Sequence, residues 1–471
     1  MKVGRPNSLP RILVLMSLVL SICIVQVAVT DAASKVTQVR IWGLNVAVPG
    51  GAREIVEEFN RTHKDIQVVP EVPTLVEGGG TQAGTMTTMQ KLLTAIAGGN
   101  PPDITTIDKF SIPSWVARGA LQPLTSFAKQ ENYDFSDFYT FAIDEARFDG
   151  ELYALPNQSV DGRYLFYNKS LFKRAGLDPN KPPKTWEELV AYGKKLTHKK
   201  ASGEFETMGY LSLLAPPGTL YLYAILNGGR FISEDGKTAL LNSREVVEAL
   251  EWMVDWYDEM GGAEQVSAFT GTFEVGSPND PFLTGRLAQM VHGDWSVATI
   301  ARYNPSLEFG VVPVPTPKGK EKYYGTTWFG GWGYAIPKGA KNAKAAWEVI
   351  KWFASKEGYL AFAKGDYDYM TSIKVPFVPQ ATPRKSATAA LDEKYTSLLG
   401  NNFKTTVVFL RRFVTDHSRT REKSPVASQI YDEAGRAFES AIHHKATPEQ
   451  ALNVAQERLQ KVLDDFYKKK K

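Results

Sequence analysis

The stretch that decides the fold is residues 37–72, which begins with TQVRIWG and continues through AREIVEEFNRTH to DIQVVPEV. Its first residues alternate between apolar and polar side chains, as a short strand does, and end near Trp42. Ile55, Val56 and Phe59 then recur at helical spacing, and a second strand follows. Strand, helix and strand in this order predict a parallel sheet with a crossover helix.

The same alternation continues along the rest of the chain. TMQKLLTAIAGGNPPDITTID, at residues 88–108, predicts a helix, a stop at two glycines and a strand that ends at Asp108. Further strands are predicted at ELYALPNQ, GRYLFYN, RLAQMVHGDW and EFGVVPVPTP, with helices between and after them. A chain of 471 residues exceeds what one hydrophobic core normally serves. Because no linker is evident, the sequence predicts an α/β protein whose chain crosses several times between two lobes.

The first residues have the pattern of a secretory signal peptide. Basic residues precede an apolar run at residues 12–29, and the small residues of TDA at 30–32 follow it. We therefore predict a signal peptide over residues 1–32 and a periplasmic or other extracytoplasmic location. An uncleaved membrane anchor is the alternative, because the apolar run is just long enough to span a bilayer.

Charge and cysteine content exclude several classes of function. The net charge of +4 is small for this length and no basic stripe is evident, so no nucleic-acid partner is predicted. The single cysteine, Cys23, lies inside the apolar run, so a processed chain has no disulfide, thiolate metal site or cysteine nucleophile. A large exported protein without disulfides is typical of a bacterial or archaeal cell envelope.

Signatures of enzymes are missing from the sequence. It contains no GxSxG, no HExxH and no GxxxxGK[ST] motif. Paired carboxylates occur on predicted helices, where they are usually surface charge. The sequence therefore predicts no catalytic residue, no metal and no cofactor.

Aromatic side chains are instead plentiful in predicted loops. TWFGGWGY, at residues 327–334, places Trp328 and Trp332 beside glycines, and Trp295 follows the turn in MVHGDW. Aromatic faces stack on the C–H faces of sugar rings, while nearby carboxylates accept hydrogen bonds from the hydroxyl groups. Ligands in open α/β sheets bind beyond the carboxyl ends of strands, which makes these acids the candidate partners: Asp108, Asp161 and Asp294.

Four motifs carry a resemblance to a known family. They are LLTAIAGGNPPDI, LYALPNQSVDGRYLFYNKSLFKRAGLDP, FLTGRLAQMVHGDW and GGWGYAIPKGAKNAKAAWEVIKWFAS. In this order they resemble the signatures of family 1 extracellular solute-binding proteins, the sugar and glycerol-phosphate receptors of ATP-binding-cassette (ABC) importers. The similarity extends from about residue 36 to the C-terminal helix.

The resemblance implies a two-lobed periplasmic-binding-protein fold of type II, with lobes joined by crossing hinge segments. Lobe 1 would comprise residues 36–158 plus 333–375, and lobe 2 residues 159–331 plus 376–471. The crossings would lie near 157–161, 330–334 and 374–376.

Individual site residues follow from the same resemblance. Asp108 and Asp161 resemble ligand-contacting carboxylates of the family, and Trp295 resembles its sugar-stacking aromatic residue. Trp328 and Trp332 lie in the second crossing, where relatives often place ligand-contacting groups.

Two further positions are less typical of the family. The loop after Trp42 offers Asn45 as its only plausible polar contact. Arg163 either pairs with Asp161 or a surface acid, or binds an anionic group such as phosphate.

These features together predict a monomeric receptor that captures a carbohydrate in the interlobe cleft and delivers it to the permease subunits of an ABC importer. An exported carbohydrate-active enzyme, either a hydrolase or a lyase, is the alternative; a hydrolase would need two carboxylates facing one another across the cleft. A membrane-tethered recognition protein is a third interpretation. The sequence leaves open whether the ligand is a monosaccharide, an oligosaccharide, a polyol or a glycerol-phosphate ester.

Overall fold

The computed structural model describes residue 1 and residues 36–71, 82–416 and 418–469. Apart from residue 1, the predicted signal peptide lies outside this part of the chain. None of the described helices has the length and apolar composition that a bilayer span requires.

The strands are numbered in chain order. They are β1 Thr37–Trp42, β2 Ile66–Glu71, β3 Ile104–Asp108, β4 Arg147–Phe148, β5 Glu151–Leu152, β6 Ala154–Pro156, β7 Arg163–Asn168, β8 His198–Lys199, β9 Phe205–Thr207, β10 Leu211–Ser212, β11 Gln289–Gly293, β12 Phe309–Val312, β13 Thr327–Trp328, β14 Trp332–Ala335 and β15 Ser418–Arg419.

The helices are numbered in the same way. They are α1 Gly51–Thr62, α2 Gln82–Ala97, α3 Ile112–Ala117, α4 Thr125–Gln130, α5 Thr140–Asp144, α6 Lys169–Arg174, α7 Trp186–Leu196, α8 Pro216–Leu226, α9 Arg244–Glu259, α10 Ala263–Thr270, α11 Ser296–Tyr303, α12 Ala343–Phe353, α13 Lys356–Ser372, α14 Lys385–Tyr395, α15 Asn401–Asp416, α16 Ala427–Ile442 and α17 Pro448–Lys469. Short 3-10 turns occupy Lys109–Ser111, Glu321–Tyr323 and Thr396–Leu398.

The first lobe is built on a five-stranded sheet with the order β2-β1-β3-β14-β6. Strand β1 is parallel to both β2 and β3, which confirms the crossover arrangement predicted from residues 37–72. Helix α1 buries Ile55, Val56 and Phe59 against this sheet, as their spacing predicts. Strand β14 returns from the second lobe and is antiparallel to β3 and β6.

The second lobe contains a four-stranded sheet with the order β10-β11-β7-β12. Its core is centred on α8, in which every side chain from Leu220 to Leu226 is buried. Helices α9 and α16 both pack against α8 and against each other. A helix buried on all of its faces has no solvent-facing polar stripe, which is why its sequence is almost entirely apolar.

The segments that join the two lobes lie side by side. Asp161 and Gly330 form an antiparallel bridge, in which the Gly330 N–H donates to the Asp161 carbonyl at 3.2 Å. Strand β13 pairs with β15, and the Phe329 N–H donates to the Arg419 carbonyl at 3.1 Å. The C-terminal segment around β15 therefore joins the crossings that the sequence predicts.

Helix α14 lies with lobe 1 rather than with the lobe expected from sequence. Ala387 is part of the lobe 1 core, and the Ser386 hydroxyl donates to the Asp137 carboxylate at 2.6 Å. Leu391 packs on α13, which itself packs on α1. Val378 and Ala381, just after the predicted boundary at 375/376, belong to the lobe 2 core. The chain then returns to lobe 1 at α14 and enters the lobe 2 core again at Leu399.

Candidate functional site

A cavity of about 1010 Å³ lies between the two sheets. Its lining combines the ends of β3 and β11 with the crossing segments and the start of α16. Of the eight residues predicted from sequence, six line it: Asp108, Asp161, Arg163, Trp295, Trp328 and Trp332. These strand-end and crossing residues thus come together in one cleft.

Asp108 ends β3 and caps the short turn that follows it. Its Oδ1 accepts hydrogen bonds from the Phe110 N–H at 3.1 Å and from Arg421 Nη2 at 2.9 Å. About 31% of the side chain is exposed, so one edge of the carboxylate remains open to the cavity. Strand β3 is buried along its length, and Asp108 is its first residue beyond the core.

Asp161 and Asp294 form a pair of neighbouring acids, of which Asp161 lines the cleft and Asp294 lies beneath its floor. The Asp294 N–H donates to the Gly162 carbonyl at 3.1 Å, which holds the turn after β11 against the first crossing. Burial, followed by the negative charge of Asp161, raises the pKa of Asp294 to about 8. Burial also raises the pKa of Asp161, although Arg163 opposes the shift. Asp294 is thus predominantly protonated at neutral pH.

Replacing Asp294 by asparagine should change how stability depends on pH. An unfolded aspartate ionises near pH 3.9, whereas the folded Asp294 keeps its proton up to about pH 8. Between these values the folded state binds more protons than the unfolded state, so the stability of the parent protein falls as pH rises. The amide of the Asp294→Asn variant does not titrate. We therefore expect the melting temperature of this variant to fall less than that of the parent protein between pH 5 and pH 8. Thermal unfolding measures this, with the exposed Asp255→Asn as control; parallel pH curves for parent and Asp294→Asn would contradict the assignment.

Arg163 lies between two of the tryptophans. Its guanidinium carbon is 4.4 Å from the centre of the Trp328 ring and 5.5 Å from that of Trp295, and Nη1 donates to the Asp161 carbonyl at 2.5 Å. Cation–π contacts of this kind stabilise both rings, most strongly where water is excluded. Arg163 thus contacts the backbone of Asp161 and the aromatic wall, and its buried Nε has no hydrogen-bond partner among the described residues.

Trp295 is positioned by the glycine turn before it. A Cβ built on Gly293 would lie 1.9 Å from the Trp295 ring, so the ring covers the Gly293 backbone. The His292 ring meets Trp295 edge-on at 5.0 Å, and burial lowers the pKa of His292 to about 3, which keeps it neutral. Only glycine at position 293 permits this placement of the indole.

The two tryptophans of TWFGGWGY have different environments. Trp328 is only 2% exposed and meets Tyr221 edge-on at 5.4 Å, so it forms a buried part of the wall. Its Nε1 has no hydrogen-bond partner among the described residues. Trp332 begins β14 and remains partly exposed. Trp295 and Trp332 therefore offer more ring surface to the cavity than Trp328 does.

Two of the predicted residues do not line the cavity. Asn45 is exposed, and its Oδ1 accepts from the Ala47 N–H at 3.0 Å, so the side chain turns back onto its own loop. Asp294 lies beneath the cleft floor and is 7% exposed.

The structure adds residues to the cleft that the sequence does not indicate. Arg421 and Tyr431 come from the C-terminal segment, and Gln380 precedes α14. None of them lies in the four family motifs. Arg421 stands in the polar stretch SRTREKS, where the only signal is a group of basic residues typical of an exposed loop.

Comparisons with known proteins agree with this architecture. A family model described as bacterial extracellular solute-binding protein matches residues 45–359. A binding protein of Brucella abortus is 26% identical over 59% of this chain, and the match spans 64% of that relative's length. The sn-glycerol-3-phosphate-binding periplasmic protein of Shigella dysenteriae is 26% identical over 94% of this chain and 96% of its own.

Solved structures are similar over nearly all of the chain. CpMnBP1 with mannobiose bound is 27% identical with a TM-score of 0.69, covering 89% of this chain and 99% of its own. The maltose/maltodextrin-binding domain of Bdellovibrio bacteriovorus bound to maltotriose is 18% identical with a TM-score of 0.67, covering 91% and 100%. The second match supports the two-lobed fold alone.

Proposed function

The chain belongs to the bacterial extracellular solute-binding proteins, and we propose that it captures an uncharged carbohydrate in the cleft between its lobes. It acts outside the cytoplasm, after export through the segment at residues 1–32, as a monomer that delivers its ligand to the permease subunits of an ABC importer. The protein does not catalyse a reaction, so the captured sugar is released chemically unchanged.

The observation that supports this proposal is the composition of the cleft wall. Trp295 and Trp332 present ring surface, and carboxylates from both sheets stand nearby, Asp108 beyond β3 and Asp161 beside β7. A sugar ring has apolar C–H faces and a rim of hydroxyl groups, so it needs both kinds of surface at once. Nε1 of Trp328 has no hydrogen-bond partner among the described residues, so it adds a buried donor for a ring oxygen or a hydroxyl oxygen of the sugar.

The charges of the cleft favour an uncharged ligand over a phosphate ester. In the described part of the chain, two arginines line the cavity. Arg421 forms ion pairs with Asp108 and Glu145, whereas Arg163 donates to the backbone carbonyl of Asp161 and lies over the Trp328 ring. Acids also outnumber these arginines in the lining, namely Asp108, Asp161, Glu274 and Asp280. A phosphate at Arg421 would have to displace its existing ion pairs, and elsewhere in the cleft it would face these acids.

The two lobes move as rigid bodies in this proposal. Lobe 1 comprises residues 36–158, residues 333–375 and helix α14, and lobe 2 comprises residues 159–331 plus the remainder. This adds α14 to lobe 1 of the sequence-based division, because α14 packs there. The hinge lies where residues 157–161 run beside 329–331. Ligand stabilises the closed arrangement only through contacts made to both lobes at once.

A thermal-shift experiment tests the proposal directly. A ligand bound only by the folded state raises the melting temperature, by the equivalent of about 2.7 kcal/mol at a hundredfold excess over Kd. We expect mannobiose or maltotriose to raise it and glycerol 3-phosphate not to do so. If glycerol 3-phosphate raised the melting temperature and neither sugar did, the proposal of an uncharged ligand would be contradicted. Chromatography of the sugar after incubation separates the enzyme alternative, because cleaved product would identify a hydrolase or lyase.

A further inference from the structure

Arg421 belongs to the C-terminal part of the chain but contacts side chains of lobe 1. It follows β15 in the segment that leads into α16, a helix of the lobe 2 core. Its Nη2 donates to Asp108 Oδ1 at 2.9 Å, its Nε donates to Glu145 Oε1 at 3.1 Å, and its guanidinium carbon lies 4.4 Å from the centre of the Phe110 ring. With 6% of its side chain exposed, this arginine is almost fully enclosed.

Arg421 belongs to a cluster of charged side chains. Lys109 is fully buried, and its Nζ lies 3.5 Å from Oε2 of Glu145, which is itself 2% exposed. Two cations thus face two carboxylates, since Asp108 completes the set. Burial lowers the pKa of Arg421, but Asp108 and Glu145 more than offset this and raise it above its usual value. Removing one member would leave buried charge without a partner, which is far more costly than losing an exposed ion pair.

Two contacts that follow Arg421 in the chain join the same two lobes. The Ser428 N–H, in the first turn of α16, donates to Ser114 Oγ in α3 at 3.2 Å. The ring of Tyr431, one turn further along α16, meets Phe110 edge-on at 5.0 Å. Tyr431, Arg421 and Asp108 all line the cleft, so this interlobe contact forms part of its wall.

We infer that Arg421 is a positioning residue that fastens the C-terminal segment to lobe 1 and orients the Asp108 carboxylate toward the ligand. Oδ1 of Asp108 accepts both from Arg421 and from the Phe110 N–H, so Oδ2 is the oxygen available to a ligand hydroxyl. The Arg421 guanidinium therefore both holds this part of the cleft wall together and leaves Oδ2 of Asp108 free to accept from the ligand. The part that concerns the ligand rests on the proposed function.

A ligand-free measurement tests the connection between the lobes. In a Cys23→Ser chain, which has no other cysteine, Lys129→Cys and Lys195→Cys place spin labels on exposed positions of lobes 1 and 2. We expect Arg421→Gln to shift or broaden the distance distribution between the labels. Arg436→Gln is the control, because Arg436 lies on α16 with 57% of its side chain exposed and pairs with Glu433. An unchanged distribution in Arg421→Gln would overturn the connection.

A double-mutant cycle with mannobiose as the probe tests the orienting role. Arg421→Gln and Asp108→Asn should each weaken binding on the order of tenfold, and the double variant should lose little more than Asp108→Asn alone. Arg421→Lys should recover part of the loss. If the double variant lost affinity by the product of the two single fold-losses, the positioning role would be overturned. In that case Arg421→Gln would weaken binding equally in the parent protein and in Asp108→Asn, as a general loosening of the fold does. Failure of mannobiose to bind the parent protein would count against the proposed function, whereas the label distances decide the inference without ligand.

Discussion

Replacing Gly293 by alanine should weaken binding of mannobiose by about 2–3 kcal/mol, or roughly 30- to 150-fold. The added Cβ would lie 1.9 Å from the Trp295 ring, closer than any real contact allows, so the indole must leave its place over the turn. Displacement removes the aromatic face offered to the sugar and also the cation–π contact with Arg163. Titration calorimetry measures the loss in affinity.

Two variants make this result interpretable. Trp295→Ala should lose a similar amount, and combining it with Gly293→Ala should add little, since both changes remove the same ring. Gly400→Ala is the matched glycine control, because none of the described neighbours lies within 4 Å of its added Cβ. Normal affinity in Gly293→Ala would mean that Trp295 does not contact the ligand from this position.

The parts of the site that could be predicted are those set by local sequence pattern. Asp108 ends a strand that is predicted after a helix and its two-glycine stop. Strand β1 pairs with parallel neighbours, as the order of strand, helix and strand predicts. Trp295 follows a glycine turn at the end of β11. The cleft lies where β3 and β11 end and where their antiparallel neighbours β14 and β7 begin, so Trp332 lies opposite Asp108 and Arg163 opposite Gly293. Residues far apart in sequence therefore meet at one edge of each sheet.

The parts that could not be predicted depend on the path of the chain in space. Arg421 reaches the cleft because β15 pairs with β13, a two-residue contact that leaves no periodic signal in the sequence. Helix α14 lies on lobe 1 because its apolar side packs against α13. The amphipathic spacing of a helix alone does not predict which element its apolar side packs against. Asn45 is the opposite case: the sequence offers it as the only plausible polar contact of its loop, but its Oδ1 accepts a hydrogen bond from that loop instead.

The glycines and tryptophans of TWFGGWGY are explained by close backbone contacts. Gly333 lies in β14 between β3 and β6, where an added Cβ would be 3.0 Å from the Leu155 carbonyl. Gly331 has a φ of 134°, a conformation that residues with side chains rarely adopt. These glycines let the chain pass between the lobes at close range, while Trp328 fills the wall and Trp332 faces the cleft.

Replacing Gly209 by alanine should give the largest loss of stability, about 3–5 kcal/mol. An added Cβ at Gly209 would lie 1.8 Å from the Gly193 carbonyl oxygen and 2.6 Å from its carbon, and backbone atoms of helix α7 have no rotamer through which to move away. The strain would spread to Trp256, which packs on Gly193 and donates to the Tyr210 carbonyl at 3.1 Å. Relief therefore requires separating α7 from the segment that leads into β10.

Urea unfolding measures the effect of this substitution, again with Gly400→Ala as the control. A loss below about 1 kcal/mol would mean that α7 can shift without disturbing the lobe 2 core. Because Gly209 and Gly193 do not line the cleft, the fraction of Gly209→Ala that stays folded should bind mannobiose with nearly unchanged affinity. The pair of alanine substitutions thus separates the two requirements for glycine in this lobe: position 209 allows helix and strand to meet, and position 293 allows an aromatic ring to cover the turn at the ligand.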